Sequence, residues 1–281
     1  MLFTPGRLGR RFVDSVQPEN PISDRTLLPP IEIVVPTARK DLELIPAVRD
    51  FALRMVQNPV SCVAFVVPTR DLETAVSIAP SATIMDEATR LPRTLVEAVN
   101  RRHPLGRNGW ILQQVIKLHS VWSSESRGVL VVDGDTLLTR SRAFLADSQK
   151  QLLSFSHEFH RPYERHASQV WGARRRFLGF SFVTHHQLMQ PWIVRRMFPD
   201  LRDLVSWITA ASTAESSPVS EYHSYGRWLS DNYPSLVTLA RWKNTGAPRS
   251  SFASLDPQNL REEIAARFPD SYSVSLHSYA T

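Results

Sequence analysis

Read for apolar and polar positions, the chain opens with little pattern. Residues 1–30 mix glycine, prolines and scattered arginines, which predicts an extension without its own core. Within it, Leu8–Val16 could form an amphipathic turn or two at a membrane surface, and a frayed tail is the simpler expectation. The first apolar run is Ile31-Glu32-Ile33-Val34-Val35-Pro36-Thr37, a strand stopped by Pro36. Thr37–Asp41 is the following loop, and Leu42–Gln57 has the apolar spacing of a helix. Cys62–Pro68 is a second strand, Leu72–Ile78 a short helix, and Ala82–Met85 a weak third strand that runs into Asp86-Glu87. Thr94–Asn100 reads as a short helix, with Thr94 as its cap and Glu97 three residues on. In Gly109–His119 the apolar residues fall at 111, 112, 115, 116 and 118, which is helical spacing. Val129-Leu130-Val131-Val132 is then a short apolar run bounded by polar residues, the mark of a buried strand. Strands alternating with helices imply a parallel, doubly wound sheet.

Past that strand the pattern is less regular. Leu152–Phe155 predicts another strand, Ser156–Tyr163 a polar and aromatic loop, and Phe180–His186 an alternating stretch ending in paired histidines. Leu188–Met197 reads as a helix apart from Pro191, and Leu204–Ala211 as a further one. Ser220 can cap a helix whose first turn holds Glu221. Residues 232–281 offer one helix near Leu260–Phe268 and a serine-rich end. There is no internal repeat.

With 281 residues and 42% hydrophobic content, the chain can bury one sizeable core. The expected organisation is an extension (1–30), one α/β domain (31–245) and a helical C-terminal extension (246–281). The single cysteine, Cys62, excludes a disulfide within the chain, argues against a cysteine-based zinc site, and fits a small core residue. The net charge of +6 points to an anionic partner. Arginine carries almost all of it, lysine occurring only at 40, 117, 150 and 243. The densest cluster, Arg174-Arg175-Arg176, is explained by a solvated face. No basic stripe with interleaved aromatics is present, so nucleic acid is not an expected partner. No apolar stretch of about 18 residues could cross a membrane, and the N-terminal residues lack the apolar run expected of a signal peptide. A cytoplasmic protein is the expectation, with peripheral contact at the inner membrane face left open.

The chemistry concentrates where the fourth strand ends, at Val132-Asp133-Gly134-Asp135-Thr136. In open α/β sheets the carboxyl edge of the strands is where ligands bind. Two carboxylates one residue apart can both turn toward one hard divalent cation, Mg²⁺ or Mn²⁺, which commonly bridges to substrate phosphates. Asp-Gly is also an ordinary turn dipeptide. On the preceding helix Gln114 and Lys117 lie three apart and share a face. That face is either a polar outer surface or one that presents an amide and an ammonium group to a ligand.

Several stretches taken together resemble a family of bacterial glycosyltransferases of undefined chemistry with the GT-A, nucleotide-diphospho-sugar transferase fold. They are Ile33-Val34-Val35-Pro36-Thr37, Asp86-Glu87, Gly109–Leu118, Val132–Thr136, Ser181-Phe182-Val183-Thr184-His185-His186 and Ser220–Gly226. They run in order over about residues 31–230. The resemblance implies a GT-A-like, Rossmann-like, mostly parallel sheet flanked by helices in a single domain. It also implies a metal-dependent transferase that moves a sugar from a nucleotide-sugar donor to a glycan or lipid-linked acceptor, in cell-surface polysaccharide synthesis.

The resemblance further implies roles for individual residues. Asp133 and Asp135 would coordinate Mn²⁺ or Mg²⁺, with His185 or His186 completing the shell. Thr37 and Arg39 would contact the nucleoside, Asp86 the ribose, and Gln114 and Lys117 the donor. Glu221 would contact the acceptor or act as base, with Glu158 a second candidate. Plainer readings stand beside these. Lys117 could be a surface lysine, one of the paired histidines a satisfied core residue, and Glu221 a helix-start carboxylate. Tyr222, Tyr225 and Trp228 fit core positions better than a sugar platform. A nucleotidyltransferase would also use carboxylates and a metal, but the first loop, Pro36-Thr37-Ala38-Arg39, lacks the glycines its phosphate loop would need.

Overall fold

The structure is a computed structural model that describes residues 27–103, 108–157, 160–172, 180–215 and 217–278. The predicted N-terminal turns at Leu8–Val16, the arginine cluster at 174–176 and Glu158 lie outside the described residues.

Strands β1 (Ile31–Pro36), β2 (Val60–Val67), β3 (Thr83–Asp86), β4 (Val129–Val132) and β7 (His186–Met189) form a five-stranded sheet in the order β3-β2-β1-β4-β7. The first four pair in parallel and β7 runs antiparallel to β4, with Val132 opposite His186. The expected mostly parallel sheet flanked by helices is therefore what the chain forms. Side chains alternate across it. Ile33, Val35, Phe65, Leu130 and Val132 enter one core with α1 (Ile45–Met55) and α10 (Pro257–Arg267). Val34, Val66, Val129 and Val131 enter the other. That second core is closed by α4 (Arg93–Arg102), α5 (Asn108–Trp122), α7 (Pro191–Met197), α8 (Leu201–Ala210) and α9 (Glu221–Asn232). A strand covered on both faces has no polar face to show, which is why β4 is uninterrupted valine and leucine.

Two smaller sheets complete the fold. In one, β6 (Gln151–Phe155) pairs with β8 (Val237–Arg241). In the other, β5 (Thr136–Leu138), β10 (Ser273–His277) and β9 (Asn244–Pro248) pair in that order. The segment 246–281, expected to be a helical extension, thus supplies α10 and also strand residues that pair with the chain just after Asp135. The short helices α2 (Leu72–Ile78) and α3 (Glu87–Arg90) follow β2 and β3.

Several local expectations are corrected. The helix that Thr94 was expected to cap begins at Arg93, with Pro92 before it and no side-chain cap. The expected loop Ser156–Tyr163 ends in α6 (Arg161–Trp171), whose Pro162 sits in the first turn where a missing N–H costs nothing. Pro191 likewise starts α7 instead of interrupting a helix, and Leu188 and Met189 before it are strand. Cys62 is half-buried on β2, not fully in the core.

Strand order decides where a ligand can sit. The chain steps outward from β1 to β2 to β3, then returns to place β4 on the other side of β1. At such a reversal the loops leave neighbouring strands in opposite directions and open a crevice at the carboxyl ends. Here those ends are Pro36-Thr37 of β1 and Asp133 after β4.

Candidate active site

After β4 the backbone makes a tight turn, with Thr136 N–H donating to Asp133 O at 3.0 Å. Gly134 sits inside it against β1: a Cβ there would stand 3.0 Å from Pro36 O and 3.3 Å from Thr37 Cα. The glycine is needed for that close approach, not for an unusual backbone angle.

Asp133 faces inward. Its Oδ1 accepts from Lys117 Nζ at 2.5 Å and from the Tyr222 hydroxyl at 2.8 Å. Its Oδ2 faces His185 Nδ1 at 3.1 Å, and its N–H donates to His185 O at 2.9 Å. Lys117 also donates to Glu221 Oε1 at 2.5 Å and lies 4.4 Å from the Tyr222 ring centroid. Lys117 is 2% exposed and Glu221 1%. An ammonium this buried needs a carboxylate partner to be tolerated, and two face it here, Asp133 the stronger. Burial alone would depress the Lys117 pKa; the charges of Asp133 and Glu221 outweigh it and hold the value above the ordinary one. For Asp133, burial pushes upward, but the Lys117 charge and the His185 hydrogen bond win and hold the carboxyl well below the usual range. Glu221 stays raised, because burial exceeds the help from Lys117 and Asp133 adds repulsion. Gln114, on the same face of α5, accepts from the Glu221 N–H at 3.4 Å and so steadies the start of α9. Ser220 caps that helix by accepting from His223 N–H.

Asp135 faces the other way. Its Oδ2 lies 3.3 Å from His277 Nδ1, and its carbonyl accepts from Leu276 N–H at 2.8 Å. Each carboxylate of the turn therefore carries a histidine, Asp133 with His185 and Asp135 with His277. All four side chains are partly exposed, between 15% and 26%. His185 is held at φ 61, a left-handed conformation that costs energy for a non-glycine residue and is found disproportionately at functional sites.

Beside the turn lies a cleft of about 800 Å³ lined by Thr37, Arg39, Lys40, Arg70, Trp110 and Gln113, among others. Among the described residues three cations stand on its wall against one carboxylate, Glu87; Arg39 and Arg70 also meet Asp71, and Lys40 meets Asp41. Arg39 donates to Asp71 Oδ1 at 2.7 Å, which ties the loop after β1 to the loop after β2.

The structure brings Thr37, Arg39, Lys117, Asp133, Asp135, His185 and Glu221 into one neighbourhood. Asp86 is used differently: it caps α3 through Ala88 N–H and accepts from the Thr69 hydroxyl at 2.7 Å, while its neighbour Glu87 lines the cleft. Gln114 is buried, and Gln113 reaches the cleft in its place. Glu221, expected at the acceptor, is enclosed behind Lys117. His186 is a core residue packed against Trp242 with the two rings tilted, and burial pushes it down to about 3. Tyr222 is buried as expected, and the bond from its hydroxyl to Asp133 had no signal in the sequence. His277 was missed altogether, since a lone histidine in a serine-rich end carries none.

Among the described residues no three histidine, cysteine or acidic side chains already converge as a metal-ligand group. The donors are nevertheless of kinds that bind divalent cations, carboxylate oxygen for Mg²⁺ or Mn²⁺ and imidazole nitrogen for transition ions, partly exposed at a sheet edge. Asp135 and His277 are the better-placed donors. Asp133 is the poorer one, because Lys117 and Tyr222 already occupy its Oδ1.

No protein-family model matches the sequence, and no curated protein matches it significantly. The family part of the resemblance therefore rests on the motifs. Among solved structures the chain is similar to the galactosyltransferase LgtC in complex with donor and acceptor sugar analogs. That match has 12% identity and a TM-score of 0.46, and covers 89% of this chain and 88% of the other. It is also similar to mouse xyloside xylosyltransferase 1 in its apo form, at 11% identity and a TM-score of 0.45, covering 90% of this chain and 99% of that one. At such identities and TM-scores the likeness does not extend to activity, substrate or metal.

Proposed function

We propose that the protein is a metal-dependent glycosyltransferase that takes a sugar from a nucleotide-sugar donor. Its acceptor on this reading is a glycan or lipid-linked glycan of cell-surface polysaccharide synthesis. The observation that carries the reading is the Asp133-Gly134-Asp135 turn, packed on Thr37 at the strand-order reversal beside a cleft with a cationic wall.

Sugar transfer from a nucleotide builds negative charge on the departing diphosphate, so the site must present fixed positive charge. On this reading Arg39, Lys40 and Arg70 draw the anionic donor into the cleft, and Thr37 and Gln113 border the nucleoside. Asp135 and His277 would hold Mn²⁺ or Mg²⁺, with Asp133 Oδ2 and His185 alongside. When bound, the cation supplies charge stabilisation to the leaving diphosphate. Lys117 fixes the position of Asp133 and cancels its charge. Glu221 in turn fixes Lys117; being enclosed, it positions the site and does not meet the acceptor hydroxyl.

The test is calorimetric titration of UDP and of GDP, with and without Mn²⁺, on the wild type and on Asp135→Asn. The reading expects one nucleotide to bind more tightly with Mn²⁺ and the gain to vanish in the folded variant. A nucleotide that binds with no gain from Mn²⁺, or a gain kept in full by Asp135→Asn, would overturn it, and failure of both to bind would turn the search to donors carrying another base.

A further inference from the structure

Arg249 stands in the short turn after β9, far in sequence from the loop after β1, and its side chain is 10% exposed. It is used as a fork. Nη1 donates to Lys40 O and to Glu43 Oε1, the latter at 2.9 Å. Nη2 donates to Asp41 Oδ1 at 2.5 Å and to Leu276 O at 3.3 Å. Three of the four acceptors belong to the loop after β1, the same loop that lines the cleft through Arg39 and Lys40. The fourth belongs to β10. Leu276 also donates its N–H to Asp135 O, and its neighbour is His277. One side chain therefore ties the cleft loop to the strand that carries the histidine of the Asp135 pair.

We propose that Arg249 is a positioning residue for the Asp135–His277 pair: it fastens β10 to the cleft loop so that the histidine stays on the carboxylate. Planar, forked donation is what separates arginine from lysine here. A lysine keeps the charge but cannot hold four acceptors in two directions at once. A surface depression of about 500 Å³ adjoins the fork, so water can enter where a shorter side chain leaves room. β10 is also held by its pairing with β5 over Ser273–Ser275 and with β9 from Ser273 to His277, so the strand survives loss of the fork; what the fork adds is the seating of its end against the cleft loop.

The inference rests on the reading of the site given above, and the same titration separates the two. Wild type and Arg249→Lys are titrated with UDP or GDP, whichever binds, without and with Mn²⁺, and the readout is the gain in affinity that Mn²⁺ confers. Because the cleft loop stays tied through Arg39 to Asp71, we expect Arg249→Lys to bind the nucleotide alone within about twofold of wild type and to lose at least tenfold of the Mn²⁺-dependent gain. His277→Ala should lose the same gain, and Arg249→Lys/His277→Ala should lose no more than His277→Ala does. A full Mn²⁺ gain in Arg249→Lys, or an equal fall in metal-free and Mn²⁺-dependent affinity, would overturn the assignment. If Arg249→Lys does not fold, Asp41→Asn weakens the same fork from its other side and is held to the same outcomes. A wild type that binds nucleotide with no Mn²⁺ gain removes both this inference and the metal-dependent reading beneath it.

Discussion

Replacing Lys117 by methionine tests the buried charge cluster. The change keeps most of the side chain's length and apolar stem but removes the cation between Asp133 and Glu221, each 2.5 Å from Nζ. Removing one partner of a buried ion pair costs about 3–5 kcal/mol, because the remaining charge is left without compensation. For a domain of this size that is a fall in Tm on the order of 10 °C. The loss should also depend on pH. Without Lys117, burial and the neighbouring Asp133 raise the Glu221 carboxyl further above its unfolded value, and Asp133 loses its largest opposing charge and keeps only His185 and the Tyr222 hydroxyl against burial. A group raised in this way contributes stability below its unfolded pKa of about 4 and loses it as pH rises through the folded value. The deficit of Lys117→Met relative to wild type should therefore be largest at pH 8 and shrink toward pH 5. Glu221→Gln is the control. It leaves the Lys117–Asp133 pair intact and keeps an acceptor for Nζ, so it should cost about 1 kcal/mol or less. Urea denaturation of the three proteins at pH 5, 6.5 and 8 reads all of this. A Lys117→Met deficit below about 1 kcal/mol, or one that does not vary with pH, would refute the reasoning.

Other consequences follow from single contacts. Gly134→Ala places a methyl group 3.0 Å from the Pro36 carbonyl, part of a backbone that cannot swing aside. It should cost about 1–3 kcal/mol in denaturation and weaken nucleotide binding through the displaced Thr37. Gly226→Ala would drive its Cβ into the Phe182 side chain in the core, so its loss should reach or exceed the top of that range with no selective effect on Mn²⁺. Burial pushes His166 down to about 4 and His186 down to about 3, only partly offset by their hydrogen bonds to the carbonyls of Trp207 and Thr184. Such groups contribute stability above the unfolded pKa of about 6.5 that is lost as pH falls through the folded values. Urea midpoints of the wild type should therefore decline from pH 7 to pH 4.5, and a flat profile would contradict the neutral, buried state of both rings.

The first half of the fold was legible because β1, the second half of β2 and β4 are buried on both faces. Such strands are written as plain apolar runs, and the residues after β1 and β4 announce the edge where the site lies. Asp133, Lys117 and Glu221 could be named from sequence, but not their arrangement, since a helix-start glutamate at a surface and one enclosed with a lysine look alike. The C-terminal part was hidden for a physical reason. β10 reads Ser-Val-Ser-Leu-His, yet Ser273 and Ser275 are fully buried, with their hydroxyls paired to Asn244 and Thr136. Satisfied serines can occupy core positions where patterning expects apolar residues. His277 and Arg249 were invisible for the same reason: their roles come from strand pairings and contacts between distant segments. The left-handed backbone at His185 carried no signal either, because nothing in a His-His dipeptide marks it.

The central claim is that the turn after β4 and the adjoining cleft form a nucleotide–metal site. A crystal grown with UDP or GDP, whichever binds, and Mn²⁺, with data collected at the manganese absorption edge, tests it most directly. The account predicts the nucleotide in the cleft beside Thr37 and Arg39, and an anomalous peak at coordinating distance from Asp135 and His277. A nucleotide bound elsewhere, or manganese away from both residues, would contradict it.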